Sequence, residues 1–148
     1  MPLATSTVET LITPAEIPVA SPGGIYWTGF AQTLANLGTS AATVITWTPG
    51  HRFKLLSVIA RTAVAGTGSS ASQVLTAKIN GTAMTGGVLT LTLANQQTTY
   101  GQNVSATSIT DGNEGDSNDI ITLVLAASGT AFSAGQVDLL FQIQNLDG

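Results

Sequence analysis

The sequence predicts an all-β sandwich of about seven to eight short strands behind an extended N-terminal arm, and three observations predict it. The first is alternation of period two, plainest in Val88-Leu89-Thr90-Leu91-Thr92-Leu93. Such a run places one set of side chains in a core and the other outside. The second is the spacing of turn residues, with Pro49-Gly50, Asn80-Gly81 and Gly86-Gly87 separating the apolar runs; Asn-Gly is the strongest two-residue hairpin signal. The third is composition. The chain has 23 threonines, 19 alanines and 16 glycines against 12 charged residues, and no segment has the period of a long helix.

Residues 1–24 read as an arm. They hold Pro2, Pro14, Pro18 and Pro22, four of the five prolines, and end in Ser21-Pro22-Gly23-Gly24. Proline removes a ladder donor and drives the residue before it toward extended geometry. The arm also carries Val8, Leu11, Ile12, Ile17 and Val19, an apolar set expected to dock on its own domain or on a neighbour. Residues 25–148 form one domain, a length sufficient for a single core.

Within that domain, Ile25–Leu37 begins as a strand at Tyr26, Trp27 and Phe30, and Ala31–Leu37 fits a short helix ended by Gly38. Thr43–Thr48 alternates, with Val44 opposed to Ile45 and Trp47. Arg52–Ala65 is the longest run and its phase is mixed. Phe53 and Leu55 point one way and Leu56 and Val58 the other, which implies burial on both faces or a bulge near Leu55-Leu56. Gln73–Asn80 places Leu75, Ala77 and Ile79 together. Thr82–Thr85 reads as a short segment that Gly86-Gly87 separates from the Val88–Ala94 strand. Asn95–Asn118 is polar and long for a connection. Asp119–Ala126 is a strand with Ile121, Leu123 and Leu125 inward, and Gly135–Asn145 closes the domain with Val137, Leu139, Phe141 and Ile143 on one face. A two-sheet sandwich and a jelly roll both satisfy this pattern.

Charge excludes several functions. Charged residues make up 8% of the chain, where about 25% is usual. A surface with so little charge has given up much of its resistance to association. The chain is therefore expected to live packed against copies of itself or other subunits. The four cations, Arg52, Lys54, Arg61 and Lys78, are too few for the basic stripe that nucleic acid requires or for recruitment to an anionic membrane. No apolar run approaches the roughly 20 residues of a membrane span. Met1–Ala20 lacks both the basic start and the unbroken apolar stretch of a secretory signal, so synthesis in a cytoplasm is expected. There is no cysteine, which excludes disulfides and thiolate metal sites.

Catalytic constellations are sparse, and the chain is not expected to be an enzyme or to need a cofactor. His51 stands alone after Pro49-Gly50, with no Gly-x-Ser-x-Gly turn to supply a nucleophile, and reads as a turn histidine facing solvent. Asp111-Gly112-Asn113-Glu114-Gly115-Asp116-Ser117-Asn118-Asp119 gathers four of the eight acidic residues. Its main reading is a solvated turn before a strand. The competing one is a calcium site on Asp111, Asn113, Asp116 and Asp119, although the spacing departs from the helix-flanked calcium loop. Among the aromatics, Trp47 shares a face with Ile45 and is expected in the core. Tyr26 and Trp27 are adjacent and cannot share a strand face, so one of them lies outside or in an interface.

Several segments together resemble a known family: Phe53-Lys54-Leu55-Leu56-Ser57-Val58, then Leu75-Thr76-Ala77-Lys78-Ile79-Asn80-Gly81-Thr82-Ala83, then Gly86-Gly87-Val88-Leu89-Thr90-Leu91, then Asn118-Asp119-Ile120-Ile121-Thr122-Leu123. In strand order and texture, over about residues 40–144, the chain is similar to the decoration, or cement, proteins of tailed-bacteriophage heads. The resemblance implies a jelly-roll domain, a homotrimer on the capsid exterior, the major capsid protein as partner, and an arm that reaches a neighbouring subunit. It carries no catalytic residues. The interface candidates are Val8, Leu11, Ile12, Ile17, Val19, Tyr26 and Trp27. Two other functions fit the same composition. One is a carbohydrate- or receptor-binding module of a fibre or spike, with Trp27 or Tyr100 exposed in a groove. The other is a single jelly-roll shell protein, which would usually carry a basic interior arm that this chain lacks.

Overall fold

A computed structural model of the chain describes residues 23–96 and 101–147. The arm candidates Val8, Leu11, Ile12, Ile17 and Val19, and Tyr100, lie outside the described residues. The described chain forms nine strands: β1 (Ile25–Thr33), β2 (Ala42–Trp47), β3 (Phe53–Thr67), β4 (Ser72–Ile79), β5 (Thr82–Thr92), β6 (Asn103–Ser105), β7 (Glu114–Gly115), β8 (Ile121–Thr130) and β9 (Ala134–Asn145). Single helical turns at Leu34–Leu37 and Leu93–Gln96 follow β1 and β5.

The strands make two antiparallel sheets. One has the order β1-β9-β3-β6, with β7 also on β3; the other has the order β2-β8-β4-β5. Four pairings nest inside one another: β1 with β9, β2 with β8, β3 with β6, and β4 with β5. This is one long hairpin whose rungs alternate between two layers. Pairing of β3 with β9 and of β4 with β8 rolls the hairpin shut. The result is a jelly-roll-like β-sandwich.

The alternation seen in the sequence builds the core. Leu75 and Ala77 of β4, Leu89 and Leu91 of β5, Ile121, Leu123 and Leu125 of β8, and Val137, Leu139, Phe141 and Ile143 of β9 are all fully buried between the sheets. Each large side chain so buried contributes about 1.5–3 kcal/mol. The mixed phase of β3 is a bulge: its register with β9 shifts between Leu55 and Ser57, which returns Val58 and Ala60 to the core side occupied by Phe53 and Leu55. Asn80 and Gly81 take positive φ of 49° and 79° and close the β4–β5 hairpin.

Several details differ from the sequence reading: the strand read at Val88–Ala94 ends at Thr92 in a helical turn, the connection read at Asn95–Asn118 contains β6 and β7, and three further differences have a visible cause. Gly86-Gly87 does not end a strand. Both residues have positive φ, and β5 runs through them, its register with β4 shifting between Thr76 and Lys78. A Cβ on Gly86 would stand 1.9 Å from the Ser108 carbonyl oxygen, so only glycine lets the neighbouring loop lie this close. Val44 is not opposed to the core: a register shift between Thr43 and Ile45 lets both Val44 and Ile45 pack against it. The strand expected at Asp119–Ala126 starts at Ile121 and continues to Thr130, because Asp119 and Ile120 are held by Asn80 of the β4–β5 hairpin turn.

Candidate functional site

The described residues separate into a charged end and two nearly uncharged sheet faces. At the charged end, the 111–119 segment folds against the start of β3. Lys54 Nζ lies 3.2 Å from Glu114 Oε1, and Arg52 Nε lies 3.8 Å from Asp116 Oδ1. Asp119 accepts from the Asp116 backbone N–H at 2.8 Å and from the Asn80 amide at 2.6 Å. The Asp116 N–H, and after it the Asn80 amide, hold the Asp119 carboxyl below the usual carboxylate value. Asn80 Oδ1 in turn accepts from the Ile120 N–H at 2.9 Å, so one side chain ties the hairpin turn to the loop.

The four calcium candidates have different surroundings. Asn113 is buried and donates Nδ2 to the Leu55 carbonyl at 2.6 Å, while its own carbonyl accepts from the Leu55 N–H at 2.8 Å. It plugs the position where β3 bulges. Asp111 bridges to Thr85 through the backbone. Asp116 and Asp119 come together, joined through a backbone N–H. Among the described residues no group of three His, Asp or Glu side chains is placed to hold a metal ion.

His51 is not a solvent-facing turn residue. It is buried, and its Nδ1 lies 2.8 Å from the Arg52 carbonyl while its Nε2 lies 2.5 Å from the Tyr26 hydroxyl. A carbonyl only accepts, so Nδ1 carries the hydrogen; in the neutral ring Nε2 then accepts from Tyr26. The rings meet edge to face at 5.6 Å. Tyr26 therefore points inward, and burial pushes its phenol up to about 12. A polar partner 25 residues away in sequence is what overrode the turn signal at Pro49-Gly50.

Trp27 is the outward member of the aromatic pair, 46% exposed, and Ile25 beside it is 57% exposed. Trp27, Ile59, Arg61, Gly101, Asn103 and Leu140 line an open groove of about 370 Å³ on the outer face of the β1-β9-β3-β6 sheet. Gly29 of β1 stands opposite Leu140 of β9, and a Cβ there would lie 2.7 Å from Leu140 Cδ2. The missing side chain lets Leu140 lie across the sheet as the groove floor. Arg61 stands opposite Asp138 in register, yet forms no ion pair within 4 Å among the described residues. Sequence reasoning named Trp27 here and missed Leu140, Ile59 and Arg61. Leu139-Leu140 was the available signal, since an apolar doublet in an alternating strand puts one member outside.

The outer face of the β2-β8-β4-β5 sheet is flatter. Registered rows run Thr46–Thr122–Lys78, then Val124–Thr76–Val88, then Val74–Thr90. All of these side chains are exposed or half-buried. Lys78 is the one charge in those rows. Four adjacent strands thus present hydroxyl and methyl groups to the outside. Trp47, by contrast, is half-buried and packs tilted against Phe30 and Phe141 of the core.

Comparison with protein-family models, with curated proteins and with solved structures gives no match.

Proposed function

We propose that this chain is an adhesive structural subunit, a capsid decoration protein that binds and stabilises the exterior of a phage head as a homotrimer against the major capsid protein. The observation that carries the reading is the Thr/Val face of the β2-β8-β4-β5 sheet, where the three registered rows include one ion. Antiparallel sheets with one solvated face ordinarily alternate apolar-in with polar-out, and charge on a surface resists association. A face without that protection suits permanent cover by another protein. The jelly-roll-like strand order and the sequence resemblance to cement proteins support the same reading.

The mechanism is adhesion without chemistry. A preformed sandwich needs no large backbone ordering on binding, so buried Thr and Val methyl groups, contributing at about 25 cal/mol per Å², have chiefly the lost translational and rotational freedom to offset. Many copies acting together on one shell then hold it by avidity. Quantitative mass spectrometry of purified virions from the chain's source tests the capsid assignment. A fixed copy ratio to the major capsid protein is expected, and absence from intact virions would overturn it.

A further inference from the structure

We infer that the Trp27 groove is a saccharide-binding site and that its ligand is a neutral hexose unit of a glycan; the inference stands without the assembly reading above. Three registered rows on the outer face of the β1-β9-β3-β6 sheet build it. Trp27–Gln142–Ser57 makes one side. Gly29–Leu140–Ile59–Ser105 makes the floor, with Leu140 lying over the bare Gly29. Ala31–Asp138–Arg61–Asn103 makes the other side. Residues directly opposite on antiparallel strands share a sheet face, so Asp138, Arg61 and Asn103 stand in line on three adjacent strands.

Each side matches one part of a sugar ring. The exposed indole offers a flat face of negative charge, which attracts the C–H groups that a pyranose presents on one side of its ring. The polar row offers what hydroxyl groups need: the Asp138 carboxylate accepts, the Arg61 guanidinium donates, and the Asn103 amide does both. Arg61 and Asp138 leave these capacities unused, because they form no ion pair within 4 Å among the described residues although they face each other in register. A Cβ on Gly101 would lie 3.7 Å from Arg61 Nε and Nη2, so the guanidinium lies against Gly101 on the β6 side of β3, while Asp138 stands on the β9 side. The Gly101 N–H donates to the Thr62 carbonyl at 2.7 Å and the Thr62 N–H to the Gln102 carbonyl at 2.9 Å, which fixes the Gly101 turn to β3.

One cation and one anion in the same row decide between occupants. An anionic ligand meets Asp138 and a cationic one meets Arg61. An apolar peptide would bury both charges without partners, which is costly. A neutral polyol satisfies both at once. The groove, at about 370 Å³, falls in the range of small-molecule sites and suits a short stretch of oligosaccharide. It also lies on the opposite side of the sandwich from the Thr/Val face. A subunit that covers a shell with that face presents the groove to the outside.

The test titrates the full chain with cellotetraose, maltotetraose, chitotetraose and lactose, and with a glucuronic acid oligomer as the anionic control. Calorimetry reads binding, and the emission of Trp27, taken as the difference between wild type and Trp27→Phe, reads its location. At least one neutral probe should bind and shift the Trp27 emission. Trp27→Ala, R61Q and D138N should each weaken that binding by about tenfold, with the melting temperature little changed because all three side chains face outward. T76E, which breaks the assembly face, should bind the same probe as wild type does. Binding by none of the neutral probes overturns the site, and tighter binding of the glucuronic acid oligomer overturns the neutral ligand. A bound probe that leaves the Trp27 emission, R61Q and D138N unaffected lies elsewhere and overturns the groove. Loss of binding in folded T76E places the site between subunits and overturns a groove complete in one chain, whereas a particle of one chain that still binds leaves this inference standing and removes the assembly reading alone.

Discussion

The charged end and the β2-β8-β4-β5 face differ in what holds them and in what they offer. Seven of the twelve charged residues, Arg52, Lys54, Asp111, Glu114, Asp116, Asp119 and Asp147, lie in or beside the 111–119 loop. Apart from Asp111, which is held through its backbone, they pair with one another or accept from nearby donors. The registered rows of the sheet face carry Lys78 and otherwise threonine and valine. One region resembles an ordinary wet protein surface, and the other resembles an interface that has lost its partner. The lesson is that charge in this chain is unevenly distributed: most described ions gather at one end of the sandwich, and the three registered rows of the β2-β8-β4-β5 face carry Lys78 alone.

The largest expected effect comes from placing charge on the neutral face. T76E and V124E should each weaken association by about a hundredfold, since an unpaired carboxylate buried at an interface costs several kcal/mol. Folding should lose no more than about 1 kcal/mol, because both sites face outward. Sedimentation and thermal unfolding of the two variants check this, and unchanged association would erase the distinction between the regions.

Asn80→Ala should have the next largest effect, at the charged end. It removes the donor to Asp119, the acceptor for Ile120 N–H and a residue suited to positive φ, and should cost about 2 kcal/mol of folding stability without altering association. Asp119 has a lowered pKa in the folded state, so its contribution is present above its ordinary value of 3.8 and is lost as pH falls through the lower folded value. The variant should show a shallower acid-side decline in denaturant titrations.

Tyr26 governs the alkaline side. Its folded pKa is raised from 10.0 to about 12 by burial, so the unfolded chain releases a proton in that window that the folded chain retains. The melting temperature should fall as pH rises from 10 to 12. Tyr26→Phe should flatten that fall, although it leaves His51 Nε2 without its donor. The smallest effect belongs to the surface ion pairs. R52Q and K54Q should each change stability by less than about 0.5 kcal/mol and leave association unaltered, as exposed pairs are screened and cost side-chain entropy.

Where one face of a strand meets the core, the sequence was legible. The phases of β4, β8 and β9 and the Asn80-Gly81 hairpin follow from alternation and turn chemistry, and the mixed phase at Leu55-Leu56, which fitted either burial on both faces or a bulge, is a bulge. The pattern was misleading where distant contacts decide. Gly86-Gly87 has the composition of a turn but serves as a bulge, because the Ser108 backbone packs on it. His51 has the context of a surface turn but is buried by Tyr26 from another strand. The groove was half legible: adjacency put Tyr26 and Trp27 on opposite faces, but the placement of Arg61 and Leu140 beside Trp27 depends on β3, β9 and β1 lying side by side, which no local pattern specifies.

The most direct test of the central claim, that these hydroxyl- and methyl-bearing faces exist to be covered, is the mass of the intact chain in solution by multi-angle light scattering. The account predicts a defined multiple of 15.0 kDa, with three copies favoured, dissociating on T76E or V124E. A stable 15.0 kDa particle that remains single as concentration is raised would contradict it.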